Sequence, residues 1–210
     1  MLTKKCVVLF SGNGSNLENL LNKKALLESK LEYIAAFTNN VKAGGIDICK
    51  KFNVNLSVSS TDNINLDLNG FLSRHNPDLI ILAGYMKILP TNIVKEYHGK
   101  IINIHPSLLP KYPGLNTHKK VLENDDTEHG ATIHFVTDKL DEGPIILQGI
   151  FKIKNKTTIQ ELETFTHNVE YEIYPIVVKW FAEDYIKMKN DKVFFQGKPV
   201  QVPIIYLMKF

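Results

Sequence analysis

The sequence predicts an α/β protein, Rossmann-like, with three α/β/α layers around a mostly parallel central sheet and with antiparallel strands in its C-terminal part. Three observations carry that expectation. Short apolar runs alternate with helical patterns as far as residue 105, as in a parallel sheet covered on both faces. After residue 105 the alternation gives way to a proline-rich loop and two strands joined by a turn. The chain has 210 residues, 44% of them hydrophobic, enough for one large core without a disulfide or structural metal.

Lys5–Ser11 reads as a buried strand, and Ser15–Glu28 as a helix with Leu17, Leu20, Leu21 and Leu27 on one face. Leu31–Thr38 is a strand, Ala43–Phe52 a helix, Val54–Val58 a short strand and Asp62–His75 a helix carrying Ile64, Leu68, Phe71 and Leu72. Asp78–Ala83 is an apolar strand, Pro90–Tyr97 a helix with proline in its first turn, and Lys100–His105 another strand. Residues 106–115 form a loop and Asn116–Glu123 a short helix. Thr127–Thr137 and Ile145–Lys154 are expected to pair antiparallel across the turn Asp138–Pro144. Thr157 with Gln160 suggests a capping box for a long helix through Trp180, kinked at Pro175, before a small hairpin and tail. The chain therefore reads as a single domain, 1–210. Residues 1–100 are its βα half, 101–190 its second half and 191–210 its C-terminal hairpin and tail.

Composition narrows the function. The net charge is +3, but Arg74 is the only arginine among 25 cationic side chains, which weighs against base readout and nucleic-acid binding. The start of the chain runs straight into a strand pattern, and no run approaches the ~20 apolar residues of a membrane span, so a cytoplasmic protein without signal peptide is expected. Cys6 and Cys49 sit in apolar patterns and read as buried thiols.

Four segments could carry chemistry. Ser11-Gly12-Asn13-Gly14-Ser15-Asn16-Leu17 lies between the first strand and first helix, where backbone N–H groups can hold a phosphate. A dinucleotide fingerprint would need glycine at Leu17 and an acid near Thr38-Asn39-Asn40, so a phosphomonoester fits better than NAD, unless the segment is simply a tight turn with an N-cap. Asn103 and His105 share one face at the end of a central strand, an amide beside an imidazole, although a strand-end histidine can also be merely structural. Asp138–Pro144 could bring a carboxylate to His105 or be only a solvated turn. Ala83–Pro90 could line a flat apolar pocket with Met86, Ile88 and Leu89, or pack as ordinary core. His105, His118, His129 and His134 cluster in sequence without the spacing of a zinc site, so no metal is expected.

The run Asn103-Ile104-His105-Pro106-Ser107-Leu108-Leu109-Pro110-Lys111-Tyr112-Pro113-Gly114-Leu115, with Leu140-Asp141-Glu142-Gly143-Pro144, resembles the signature of the formyltransferase family. Ser11–Leu17, Gly130–Gln148 and Glu170 followed by Ile173-Tyr174-Pro175 extend the likeness over nearly the whole chain. The resemblance implies an enzyme of purine (IMP) biosynthesis. It would pass the formyl group of 10-formyltetrahydrofolate, its co-substrate, to the glycinamide amine of 5'-phosphoribosylglycinamide. It also implies Asn103, His105 and Asp141 as the catalytic trio. Gly12, Asn13, Gly14, Ser15, Asn16 and Glu170 would hold the ribonucleotide. Met86, Lys87, Ile88, Leu89, Asp138, Leu140, Asn103 and Asp141 would bind the folate. Metal would play no part, and the protein would act on small molecules as a monomer or homodimer. Where the family carries an arginine before the fourth strand this chain has Asp62-Asn63-Ile64-Asn65, and Lys87 stands where arginine is frequent, so lysine or backbone N–H groups are expected to hold the folate's glutamate tail. The alternatives are a 10-formyltetrahydrofolate hydrolase and a non-catalytic nucleotide or folate binding module.

Overall fold

A computed structural model describes residues 3–27, 30–59 and 63–209. The chain falls into two compact units, Met1–Asn103 and Ile104–Phe210.

The first unit is a parallel sheet with helices between its strands. Its strands are β1 (Lys4–Phe10), β2 (Leu31–Thr38), β3 (Leu56–Val58), β4 (Leu79–Leu82) and the start of β5 (Ile101–His105), in the order β3-β2-β1-β4-β5. All four neighbouring pairs are parallel. Cys6–Phe10 and Leu79–Ile81 are buried throughout, which is why β1 and β4 read as unbroken apolar runs rather than alternating ones. Cys6 and Cys49 are free and buried, and burial pushes the Cys49 thiol up to about 11.

The connecting helices are α1 (Ser15–Asn22), α2 (Gly45–Lys51), α3 (Ile64–His75) and α4 (Thr91–Glu96). The first is shorter than expected: Lys23 leaves the helical region, and Lys24–Leu27 forms one 3-10 turn that still buries Leu27. Apolar spacing fits either helix type there, which is why the pattern alone ran the helix on. Glu28, the expected helix end, and Asp62, the expected start of α3, lie outside the described residues. Asn63 caps α3, its Oδ1 accepting from Leu66 N at 3.2 Å. At the other end Asn76 adopts left-handed geometry, with Pro77 following.

The second unit holds α5 (Thr117–Glu123), β6 (Glu128–Phe135), β7 (Ile145–Lys152), α6 (Ile159–Ala182) and four short strands, β8 (Ile186–Lys189), β9 (Lys192–Phe195), β10 (Lys198–Pro199) and β11 (Ile204–Leu207). β6 and β7 pair antiparallel, and α6 packs on both. The capping box sits one residue later than expected. Thr158, not Thr157, caps α6: its Oγ1 accepts from Glu161 N at 3.2 Å while the Glu161 carboxylate accepts from Thr158 N at 2.8 Å. Thr157 Oγ1 instead donates to Lys154 O at 2.7 Å. The helix runs without interruption through Pro175.

The C-terminal hairpin begins earlier than residue 191. β8 and β9 pair across Asn190 and Asp191, and β9 and β10 across Gln196 and Gly197, each pair of turn residues having positive φ as tight hairpins require. The expected tail is a strand: β11 pairs parallel with β7, Ile204 opposite Leu147. The strand is only four residues long, Ile204–Leu207, too few to show a strand period.

Candidate active site

The glycine turn of the first unit is shaped from three sides. Gly14 has φ 78° and precedes α1, and Glu18 N donates to its carbonyl at 2.8 Å. A Cβ at Gly14 would come 2.7 Å from the Gly45 backbone, so both the turn and the neighbouring segment exclude a side chain. Ser11, at the end of β1, is fixed by its neighbours: its Oγ donates to Asn39 Oδ1 at 2.5 Å and accepts from Met86 N at 2.9 Å, and its carbonyl accepts from Asn40 Nδ2 at 2.9 Å. Asn39 and Asn40, noted in the sequence only for the acid they lack, therefore hold the turn. Gly12 and Asn13 are exposed, Ser15 is half-buried and Asn16 is buried. The exposed N–H groups and the start of α1 suit an anion.

After β4 the chain exposes apolar side chains. Met86 and Ile88 are 68% and 77% exposed, Lys87 is exposed, and Leu89 is buried. Met86 and Ile88 therefore do not pack as core. Leu89 alone packs as core. Asn103 is half-buried on β5, two residues before His105 and on the same face by strand alternation.

His105 is 5% exposed, and the second unit surrounds it with acceptors. Its Nδ1 stands 3.5 Å from Asp141 Oδ2, and its Nε2 stands 2.9 Å from the Tyr112 carbonyl oxygen. A carbonyl can only accept, so Nε2 carries hydrogen, and the imidazolium is the form that presents a proton to both partners. Asp141 has φ 53° and is itself anchored: Gly114 N donates to its Oδ2 at 2.9 Å. Its Oδ1 lies 3.8 Å from His134 Nε2. Burial pushes the His134 imidazole below its ordinary value, and its Nδ1 donates to Phe135 O at 2.9 Å, so it packs against the carboxylate as a neutral ring.

The turn that carries Asp141 is clamped to the end of β6. A Cβ at Gly143 would fall inside the carbonyl oxygen of Phe135, and Phe135 N donates to Pro144 O at 3.0 Å. Asp138 and Leu140 in that turn are exposed. The loop after His105 is braced from below. Thr132 Oγ1 donates to Ser107 O at 2.6 Å and accepts from Leu109 N at 3.0 Å, while Gln148 Nε2 donates to Leu109 O at 2.7 Å. Glu170 lies buried on α6, 5% exposed.

Of the expected site residues, the second unit brings His105 and Asp141 together directly. Reading the sequence missed the Tyr112 carbonyl, the Gly114 N–H and the Thr132–Gln148 brace. The first two are backbone groups with no side-chain signature. The last was readable, because Thr132 and Gln148 face each other in the antiparallel register. Of the other clustered histidines, His118 and His129 pair: His118 Nδ1 lies 3.0 Å from His129 Nε2, and burial pushes His129 down to about 3. Among the described residues no group of three or more His, Cys, Asp or Glu is placed to hold a metal.

The profile of the family described as formyl transferase matches residues 4–178. The chain belongs to the formyl transferase family. It is 38% identical over 201 residues to the phosphoribosylglycinamide formyltransferase of Haemophilus influenzae, covering 93% of this chain and 95% of that one. The structure of the phosphoribosylglycinamide formyltransferase from Coxiella burnetii matches with TM-score 0.89 at 36% identity, covering 98% of this chain and all of that one (100%). A formyltetrahydrofolate deformylase from Pseudomonas syringae shares the fold, with TM-score 0.85 at 24% identity over 92% of this chain and 66% of its own. Within the described residues of this formyl transferase no helix is long and apolar enough to cross a membrane.

Proposed function

We propose that this formyl transferase moves the formyl group of 10-formyltetrahydrofolate to the glycinamide amine of 5'-phosphoribosylglycinamide, giving phosphoribosyl-N-formylglycinamide and tetrahydrofolate in purine biosynthesis. The observation that carries the chemistry is the buried His105, with one ring nitrogen toward the Asp141 carboxylate and the other toward the Tyr112 carbonyl. The substrate pair rests on relatives of that name matched over nearly their full length.

The folate supplies the one-carbon unit. Its formyl oxygen gains negative charge as the amine adds, and the reading gives the Asn103 amide the task of donating to that oxygen and the His105 imidazolium, whose two N–H groups face Asp141 and Tyr112, the task of offsetting its charge. Asp141 keeps the proton on His105 Nδ1 and fixes the ring; the Gly114 N–H bond in turn fixes Asp141. The Gly12–Asn16 turn would hold the phosphate through backbone N–H groups, with Ser15 and Asn16 adding side-chain donors. Met86 and Ile88, beside the buried Leu89, offer the apolar surface that a pterin ring needs, Lys87 and exposed backbone the groups for an anionic tail, and Asp138 and Leu140 further folate contacts. Glu170 is assigned to the ribose or glycinamide end of the ribonucleotide.

The test is formyl transfer by the purified protein, followed by absorbance of the folate product, with and without phosphoribosylglycinamide and with EDTA present. The reading expects change only when the ribonucleotide is added, undiminished by EDTA. Change without it would make the protein a hydrolase, and no change would leave a binding module.

A further inference from the structure

His105 and Asp141 share a feature that neither side chain displays. Each is held by a backbone group of the same short segment, His105 by the Tyr112 carbonyl and Asp141 by the Gly114 N–H. Segment 111–114 is thus a two-pronged bracket: a shift of its backbone moves both members of the pair at once. Two anchors set its position. From inside, the fully buried Ser107 donates through Oγ to Lys111 O at 2.7 Å, with a longer contact of 3.3 Å to Tyr112 O. From outside, the Tyr112 hydroxyl donates to Asp126 Oδ2 at 2.9 Å, and Lys111 Nζ meets Asp126 Oδ1 at 2.9 Å.

The outer anchor demands explanation. Asp126 follows α5 and lies well away in sequence from every residue given a role in the reaction. Burial raises the cost of its charge, yet hydrogen bonds from Lys111 and Tyr112 outweigh this and hold its carboxyl below the usual range. Tyr112 has φ 56°, a left-handed conformation that a bulky residue adopts only when its surroundings enforce it. A side chain that reaches from that strained residue to an ionised carboxylate supplies the enforcement. The same residue's carbonyl takes the His105 Nε2 proton, so the strain and the catalytic contact sit on one peptide unit. Lys111 is largely exposed, which leaves the Tyr112 hydroxyl bond as the stronger half of the anchor.

We infer that Asp126, acting through the Tyr112 hydroxyl, is a positioning residue for the His105–Asp141 pair. This rests on the proposed formyl transfer for its kinetic readout, but its geometric content does not. Tyr112→Phe removes one oxygen and keeps the ring. It is expected to lower kcat by about tenfold with KM for both substrates within about twofold, because a small misplacement of a catalytic group acts on the transition state rather than on ground-state binding. Asp126→Ala should match it, and the double variant should be no worse than either, since both break one path. Asp126→Asn keeps an acceptor for the hydroxyl and should retain kcat within about twofold.

The decisive comparison is with His105→Ala. If Tyr112 acts through His105, Tyr112→Phe costs nothing further in that background; a loss that persists there would overturn the inference, as would wild-type kcat in Tyr112→Phe and Asp126→Ala. Spectra of isotope-labelled histidine decide the geometry independently of turnover. They should show His105 Nε2–H hydrogen-bonded and slow to exchange in the wild type and fast to exchange in Tyr112→Phe, and identical exchange would sink the inference. A wild type inactive in formyl transfer but with that histidine signature would overturn the proposed reaction and keep the positioning role. Matching thermal midpoints of Tyr112→Phe and wild type guard against a loss that is only unfolding.

Discussion

In the Gly12–Asn16 turn the groups offered to a ligand are backbone, shaped by Gly14 at φ 78° and by Ser11, whose partners Asn39, Asn40 and Met86 come from segments after β2 and β4. Around His105 the offered group is a side chain, and backbone does the holding: Tyr112 C=O on the ring, Gly114 N–H on Asp141. The difference suits the two tasks proposed for them. A phosphate carries a fixed charge and is satisfied by several N–H donors at modest precision, so a turn suffices. A developing oxyanion needs compensating polarity fixed in place before charge appears, and a buried ring clamped at both nitrogens is fixed in that way. Damage to the first region should therefore weaken binding, whereas damage to the second should slow the chemical step.

The largest effect expected is at the pair itself. His105→Ala and Asp141→Asn should each lower kcat by about 10²-fold or more while leaving far-ultraviolet dichroism unchanged, since what is lost is electrostatic and proton-holding help in the transition state. Near-normal turnover in either variant would remove that residue from the mechanism and dissolve the contrast.

A matched pair of glycine substitutions sharpens it. Gly143→Ala pushes a methyl into the Phe135 carbonyl and must displace the turn bearing Asp141. It should lower kcat about tenfold and destabilise the protein by about 1–3 kcal/mol. Gly14→Ala forces left-handed geometry on a residue with a side chain against Gly45. Its stability cost should be about 1–3 kcal/mol, but its kinetic mark should be a raised KM for phosphoribosylglycinamide with kcat nearly unchanged. Equal kcat losses in the two would mean that the regions do not divide the labour as described.

The smallest effect is on stability and comes from a buried ring that touches neither substrate in this account. His129 is held near 3 by burial and by His118, with Asp126 and His105 also acting on it, against an ordinary 6.5. The folded state therefore binds fewer protons than the unfolded one between those values, so stability is present above pH 6.5 and is lost as pH falls toward 3. Between pH 7 and 5 this one group should remove about 2 kcal/mol. Denaturant titrations of the wild type and His129→Gln at the two pH values check it: the acid loss should shrink in the variant, and an unchanged loss would place its origin elsewhere.

Much of this was legible in the sequence. Unbroken apolar runs at Cys6–Phe10 and Leu79–Leu82 marked strands buried on both faces, and the turn residues Asp138–Pro144 marked the antiparallel pair on either side of them. The contact between His105 and Asp141, 36 residues apart by subtraction of their numbers, was raised there only as a possibility, because nothing local encodes it. The capping box at Thr158, the helix ending at Asn22 and the strand at Ile204–Leu207 were misplaced or missed. In each, neighbouring residues satisfy the same local rule and packing alone selects between them. Backbone partners such as Tyr112 C=O leave no trace in residue identity at all.

The central claim is that the chain delivers a formyl group to an amine and not to water. The direct measurement traces the labelled formyl carbon of 10-formyltetrahydrofolate after incubation with the wild-type protein and phosphoribosylglycinamide. The account predicts label in the ribonucleotide, in step with tetrahydrofolate formed, and almost none as formate. Label recovered as formate at the same rate whether or not the ribonucleotide is present would contradict it.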